Sequence, residues 1–307
     1  GGEGCGSIRP LAANPMRPIR LAFRLVQSGR LDQSGRVIFQ RVLTMMHLRL
    51  IRTFISASAQ EEAAYRANFA ISLLHSLLNF ATGLLGLGII YGQVPAIQGW
   101  DYASALAVLG VYLTVSALRG LMMGPSLDAL AGMDGEVWRG AFDFTLLRPV
   151  RTQFLVSVRK WRLFALFDLL LGLLVLGTAV ARLQVTLTFY QLAAFLLALA
   201  AGLLVLYAIL LAAASLVFWD PGLMVGWVFD SLFQMARYPV GLYPGWLRLM
   251  LTWVIPVGFI TTIPAAALSE GLSWGLLGGS LAFALVLTVG ASWLFRVGLR
   301  RYASASS

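Results

Sequence analysis

Lysine is almost absent from this chain. Of 23 basic residues, Lys160 is the single lysine and the rest are arginine. A Walker loop needs a glycine-rich turn ending in Lys followed by Ser or Thr. Lys160 stands in Ser157-Val158-Arg159-Lys160-Trp161-Arg162, with no glycine before it and a tryptophan after it. The chain therefore carries no P-loop. Its one cysteine, Cys5, excludes an internal disulfide and argues against a thiol-ligated metal site. The two histidines, His47 and His75, form no HExxH pattern and supply too few ligands for a metal centre. Charge is scarce as well: 12% of residues are charged, against roughly 25% in a soluble domain.

What is abundant is apolar. Hydrophobic residues make up 59% of the 307, so most of the chain does not face water. The net charge of +10 would suggest nucleic acid in a soluble protein. Here the arginines sit beside apolar runs, so lipid headgroups and topology account for them, and no nucleic-acid partner is expected. Residues 1–44 read as a polar, Arg-rich leader, disordered or not native, with Met45-Met46 the expected start. Residues 45–307 read as a single transmembrane domain.

A helix needs about 20 apolar residues to cross roughly 30 Å of hydrocarbon. The expectation is an all-α polytopic protein with about six spans, near 69–91, 103–123, 163–181, 189–218, 222–240 and 274–297. Pro256 breaks the apolar stretch 245–268 into two pieces, each about 15 Å long at helical rise. That suits a re-entrant hairpin. The rival reading makes 247–267 a span and leaves 222–240, with Asp230, Gln234 and Arg237, as an interfacial helix. His47–Arg66 places Leu48, Ile51 and Ile55 on one face and predicts an amphipathic helix on the membrane surface. The 124–162 loop holds Arg139, Arg148, Arg151, Arg159, Lys160 and Arg162, whereas loop 92–102 has no basic residue. The positive-inside rule then puts that loop and both termini in the cytoplasm, across the cell (plasma) membrane.

Polar groups within spans are few. Ser72, His75, Ser76 and Asn79 form one stripe, read first as interhelical hydrogen bonding and second as a pathway lining. Arg119 and Asp168 lie at similar depth and are expected to pair, unless Arg119 snorkels to headgroups. Asp230 completes the intramembrane polar set. Gly83, Gly86, Gly88, Gly275 and Gly279 are read as internal packing positions, with a subunit interface as the alternative. The loop 124–162 mixes charges with Trp138, Phe142, Phe144, Leu146 and Leu147, which suits a docking surface for a partner. An amphipathic helix resting on the bilayer is the alternative.

Several local patterns are distinctive together: Tyr65-Arg66-Ala67-Asn68-Phe69 before the first span, Asp143-Phe144 and Leu146-Leu147-Arg148-Pro149 in the loop, Ala236-Arg237-Tyr238-Pro239, Tyr243-Pro244-Gly245-Trp246-Leu247-Arg248, the run from Pro256 to Ala265, and Gly298-Leu299-Arg300-Arg301-Tyr302. Over residues 46–307 the chain resembles permease subunits of type-2 ABC exporters, in a branch of small permeases encoded with a second permease and a separate ATPase. The resemblance implies a connecting helix at 47–66, a coupling helix within Gly135–Pro149 and a re-entrant element at 245–268. It implies a non-catalytic chain that works with a separate ABC ATPase and a second permease copy or paralogue, with ATP and Mg bound on the ATPase and no cofactor here. The expected coupling residues are Glu136, Trp138, Arg139, Phe142, Asp143 and Arg148. Spans without a dense ionisable lining suit a lipophilic or amphiphilic cargo. The competing function is a carrier or channel that needs no ATPase.

Overall fold

The computed structural model describes residues 33–64, 66–183, 188–269 and 271–302. They fall into a unit Gly1–Thr53 and a unit Phe54–Ser307. Helix α1 (Gln33–Ala64) begins inside the expected leader, so residues 33–44 are helical, and its residues 54–64 belong to the second unit; residues 1–32 lie outside the described residues. Most of the helix expected over 47–66 corresponds to the later part of α1, which ends at Ala64.

The rest is almost wholly helical, because a helix satisfies its own backbone polar groups where water is absent. In chain order come α2 (Arg66–Tyr91), the short strands β1 (Ala96–Ile97) and β2 (Trp100–Asp101), and α3 (Tyr102–Leu118), which runs on through a π-helical turn, Arg119–Met123, into α4 (Gly124–Asp128). After these follow α5 (Asp143–Leu146), α6 (Thr152–Val158), α7 (Ala165–Leu183), α8 (Phe189–Leu216), α9 (Val225–Phe233), α10 (Gly245–Leu249), α11 (Ile263–Ser269) and α12 (Trp274–Arg301). Among the described residues, five helices are long and apolar enough to cross a membrane: α2, α3 with α4, α7, α8 and α12. They match five of the six expected spans.

The link from α2 to α3 holds a small β-hairpin, β1 and β2, closed by a two-residue turn. Gln98 (φ 52°) and Gly99 (φ 85°) both take positive φ, as a type I′ hairpin requires. Asp101 then caps α3, its carboxylate accepting the Ser104 N–H at 2.9 Å. Burial works against the charged carboxylate of Asp101. The Ser104 hydroxyl and nearby backbone N–H groups outweigh it and hold the group below the usual aspartate range.

α3 is the central element, with Ala105 to Val111 almost entirely buried. It packs antiparallel to α7 at backbone contact. A Cβ on Gly110 would stand 2.8 Å from the Leu176 backbone, and one on Gly172 would stand 2.7 Å from the Thr114 nitrogen. Only glycine permits this approach, which maximises the van der Waals contact that holds helices together in lipid. The expected packing glycines differ. Gly83 and Gly86 do face neighbours, but Gly88, Gly275 and Gly279 face open space, so small residues at helical spacing did not identify the contact face.

The stretch 222–240 is not one helix. α9 has nine residues, about 13 Å at helical rise, and is followed by 3-10 turns at Gln234–Arg237 and Val240–Leu242. Pro239 is the reason: it forces Tyr238 into an extended conformation (φ −116°, ψ 150°) because a helical residue before proline clashes with the ring. The segment nonetheless runs the length of the bundle. Gly222 lies against Trp138 in the 124–162 loop, and Gly241 lies against Trp100 of the β-turn at the other end.

Residues 245–269 form a bent pair, Gly245–Val254 and Gly258–Ser269, at 78° to each other. Ile255 is extended (φ −121°, ψ 92°) and precedes Pro256, the same steric rule at work. Both ends of the pair lie at one end of the bundle: Arg248 Nη2 donates to Gln98 Oε1 at 2.5 Å, and Tyr190, near the start of α8, donates its hydroxyl to the Leu272 carbonyl.

Candidate functional site

The loop between α4 and α7 is folded, not slack. Glu136 N–H donates to the Ala129 carbonyl at 3.0 Å, and Phe142 N–H to the Glu136 carbonyl at 3.1 Å. Gly132 and Gly140 take positive φ within it. Phe142 is fully buried and sits in an aromatic cluster, 5.4 Å from Phe218 and 5.3 Å from Tyr302, with Phe218 5.5 Å from Phe295. Tyr302 donates its hydroxyl to Asp143 Oδ1 at 2.9 Å. Burial, then the neighbouring Asp143 carboxylate, pushes the Tyr302 phenol up to about 12. Glu136 forms an ion pair with Arg159, which also reaches the Thr145 hydroxyl.

Three of the six expected coupling residues thus face inward. Phe142 cannot anchor a partner, because its whole side chain is spent on the cluster that fixes the loop to α8 and α12. Glu136 and Asp143 are partly buried and tie the loop to Arg159 and Tyr302. Trp138, Arg139 and Arg148 are exposed. Of the apolar residues expected on the docking surface, Phe144 (72% exposed) and Leu147 (80% exposed) do point outward, and the structure adds Met133. A folded loop whose buried aromatics hold its base and whose other large apolar side chains point away presents a patch to something outside the chain.

A second cluster lies within the bundle. Arg119 Nη2 is 2.5 Å from Asp230 Oδ1 and 3.9 Å from Asp128 Oδ2, and its guanidinium lies 5.7 Å from the Phe229 ring centre. The expected Arg119–Asp168 pair is therefore replaced by pairs to α4 and α9. Depth along the spans made Asp168 a candidate, but the π-helical turn and α9 put the carboxylates of Asp128 and Asp230 on Arg119 instead. Asp168 joins no ion pair among the described residues. Further along the same elements, Arg237 donates to Asn79 Oδ1 at 2.5 Å and to the Thr82 hydroxyl at 3.3 Å and lies 5.5 Å from the Tyr112 ring centre. The polar stripe on α2 divides accordingly. Asn79 binds Arg237, the Ser72 carbonyl accepts the Ser76 hydroxyl at 2.9 Å, and His75 is exposed. Asp230 and Arg237 are seven residues apart on an otherwise apolar segment, a two-turn spacing that puts both on one helical face. That spacing was the available signal for this cluster.

Beside α9, a cleft of about 600 Å³ opens between α8, the bent pair and α12. Its lining is apolar throughout, including Ala212, Val228, Phe229, Val254, Leu287 and Leu294. Phe229 connects this cleft to the Arg119 cluster.

No curated protein and no solved structure matches the chain. Residues 77–306, about three-quarters of it, match the family model for ABC-2 family transporter protein. Members of this family are generally non-catalytic membrane subunits that work with a separate ATPase, and the folded loop, the apolar helices and the broken segment before α12 all fall within the matched region. This chain is therefore a multi-pass membrane protein and the membrane subunit of an ABC transporter, belonging to the ABC-2 family.

Proposed function

We propose that this chain forms one part of the pathway of an ABC exporter and takes its energy from a separate ATPase docked on the 124–162 loop. The observation that carries the reading is the exposed patch of Met133, Trp138, Phe144 and Leu147 on a loop whose base is pinned by Phe142. Trp and Arg are enriched at binding hot spots, and Trp138, Arg139 and Arg148 are all exposed there. ATP closure of the ATPase would push on this loop. Because Phe142, Asp143 and Glu136 fix it to α8, α12 and Arg159, the push would reach the helices rather than be lost in loop motion.

In this reading the loop and both termini face the cytoplasm of the cell membrane. The broken segment 222–241 makes the fifth crossing, since its ends contact Trp138 and Trp100. The bent pair 245–269 enters and leaves on the outer side as a re-entrant hairpin, and α12 makes the sixth crossing. The apolar cleft against Phe229 suits a lipophilic or amphiphilic cargo, and a second copy or paralogue completes the pathway.

The test is to purify the chain with its co-expressed ATPase, reconstitute both in proteoliposomes, and screen lipophilic compounds for stimulated ATP hydrolysis. Stimulation that requires this chain supports the reading. Cargo movement by the chain alone, with no ATPase, would favour the carrier or channel reading instead.

A further inference from the structure

We propose that the cleft where α1 meets residues 160–164 is a phospholipid site, taking one phosphatidylethanolamine-type lipid with its head against Lys160, Arg162 and Glu61. The helix is stapled there by two side-chain contacts. Ser58 Oγ accepts the Trp161 N–H at 3.1 Å, and the Glu62 carboxylate accepts the Leu163 N–H at 2.9 and 3.0 Å. Two adjoining chambers lie along this joint. One, of about 410 Å³, is lined by polar and apolar groups together and holds Glu61, Asn68, Lys160 and Arg162. The other, of about 340 Å³, is apolar and is walled by Ala63, Phe69, Phe164 and Phe167. Glu62 and Phe164 line both.

A chamber bearing charged groups beside an apolar one, with Glu62 and Phe164 in the walls of both, fits an amphiphile, with its head in the first and a chain in the second. A free anion would need only the first. Among the described residues, neither Lys160 nor Arg162 forms a salt bridge, so both guanidinium and ammonium donors are available for a phosphate. Glu62 is engaged by the Leu163 backbone, and burial holds its carboxyl above the usual range despite that bond and Arg162. Glu61 is exposed and remains as the acceptor for a primary ammonium. Ethanolamine offers three N–H donors, choline none, and glycerol no cation. Trp161 at the rim is the residue type that membrane interfaces favour. The site rests on the membrane placement of the chain and is independent of ATPase docking.

Native mass spectrometry of the delipidated chain in detergent tests this, with phosphatidylethanolamine, phosphatidylglycerol and inorganic phosphate titrated separately. One ethanolamine lipid should stay bound under activation that strips further lipids. Each cation near a headgroup is worth about fivefold, so Lys160→Gln/Arg162→Gln should weaken both lipids roughly 30-fold. Glu61→Gln should weaken the ethanolamine lipid about fivefold and leave the glycerol lipid unchanged. Should the double variant misfold, Ala63→Phe fills the apolar chamber from an exposed position and should weaken the ethanolamine lipid about tenfold at unchanged thermal midpoint. Retention of phosphate as tightly as lipid, tighter binding of the glycerol lipid, or no loss in these variants overturns the proposal.

Discussion

Replacing Trp138 with alanine separates docking from folding, and replacing Phe142 with alanine serves as its counterpart. Trp138 is 54% exposed, and an aromatic side chain buries about 150–250 Å² when fully covered. Covering the exposed half would remove roughly 80–135 Å² from water, which at about 25 cal/mol per Å² is on the order of 2–3 kcal/mol. That corresponds to a 30- to 150-fold weaker ATPase affinity, by the rule of about 1.4 kcal/mol per tenfold. The loop itself should survive, because Trp138 contributes little to its buried base. Phe142→Ala instead empties a fully buried site, which typically costs about 3–5 kcal/mol of fold stability. The assay is a titration of the purified ATPase against each variant in nanodiscs, read by stimulated ATP hydrolysis, alongside thermal unfolding. Trp138→Ala should shift the half-saturation point at constant unfolding midpoint, and Phe142→Ala should lower the midpoint. Unchanged half-saturation for Trp138→Ala would refute the assignment of Trp138 as the docking anchor, and unchanged half-saturation for Trp138→Ala/Phe144→Ala/Leu147→Ala would refute docking on this loop.

Three further outcomes are expected. Arg119→Asp and Asp230→Arg should each lower thermal stability while the swapped double variant recovers part of the loss; the double-mutant cycle should give about 1 kcal/mol, modest because the Asp230 side chain is partly exposed, and the same swap with Asp168 should recover nothing. Gly172→Ala should destabilise by about 1–3 kcal/mol through overpacking against the Thr114 backbone, whereas Gly279→Ala, which meets open space, should be neutral in the same unfolding assay. The Asp101 cap should be acid-sensitive. Its carboxyl is held below the ordinary value of 3.8, so its contribution is fully present above that value and is lost as pH falls through the lower folded value; Asp101→Asn, which still caps, should flatten the unfolding midpoint between about pH 4 and 2.

Much of the fold was legible because lipid imposes a simple demand. A crossing helix needs an unbroken apolar run, and α2, α3, α7, α8 and α12 each have one. The broken stretches 222–240 and 245–268 were less legible. Pro239 and Pro256 announced breaks, but periodicity does not say whether a broken segment traverses the bundle or turns back. The contacts of Gly222 with Trp138 and of Gly241 with Trp100 carry that distinction for 222–241, and Gln98 and Tyr190 carry it for the bent pair. In the loop, residue types showed that aromatics and charges were mixed, but not which aromatic faced in. Phe142 and Phe144 are two residues apart, about 200° around the helical turn that Phe142 opens, so they face opposite ways; which one faces in was set by the packing of Phe142 on Phe218 and Tyr302.

By itself the sequence determined that the chain lives in lipid, that it carries no P-loop, and roughly where its helices lie, since composition and run length depend only on neighbours along the chain. The tertiary structure decided which carboxylates hold Arg119, which glycines touch, and which loop residues remain exposed. Those are matters of azimuth and distance between helices, set by the π-helical turn, the proline breaks and the backbone contact at Gly110 and Gly172, and no one-dimensional pattern encodes them.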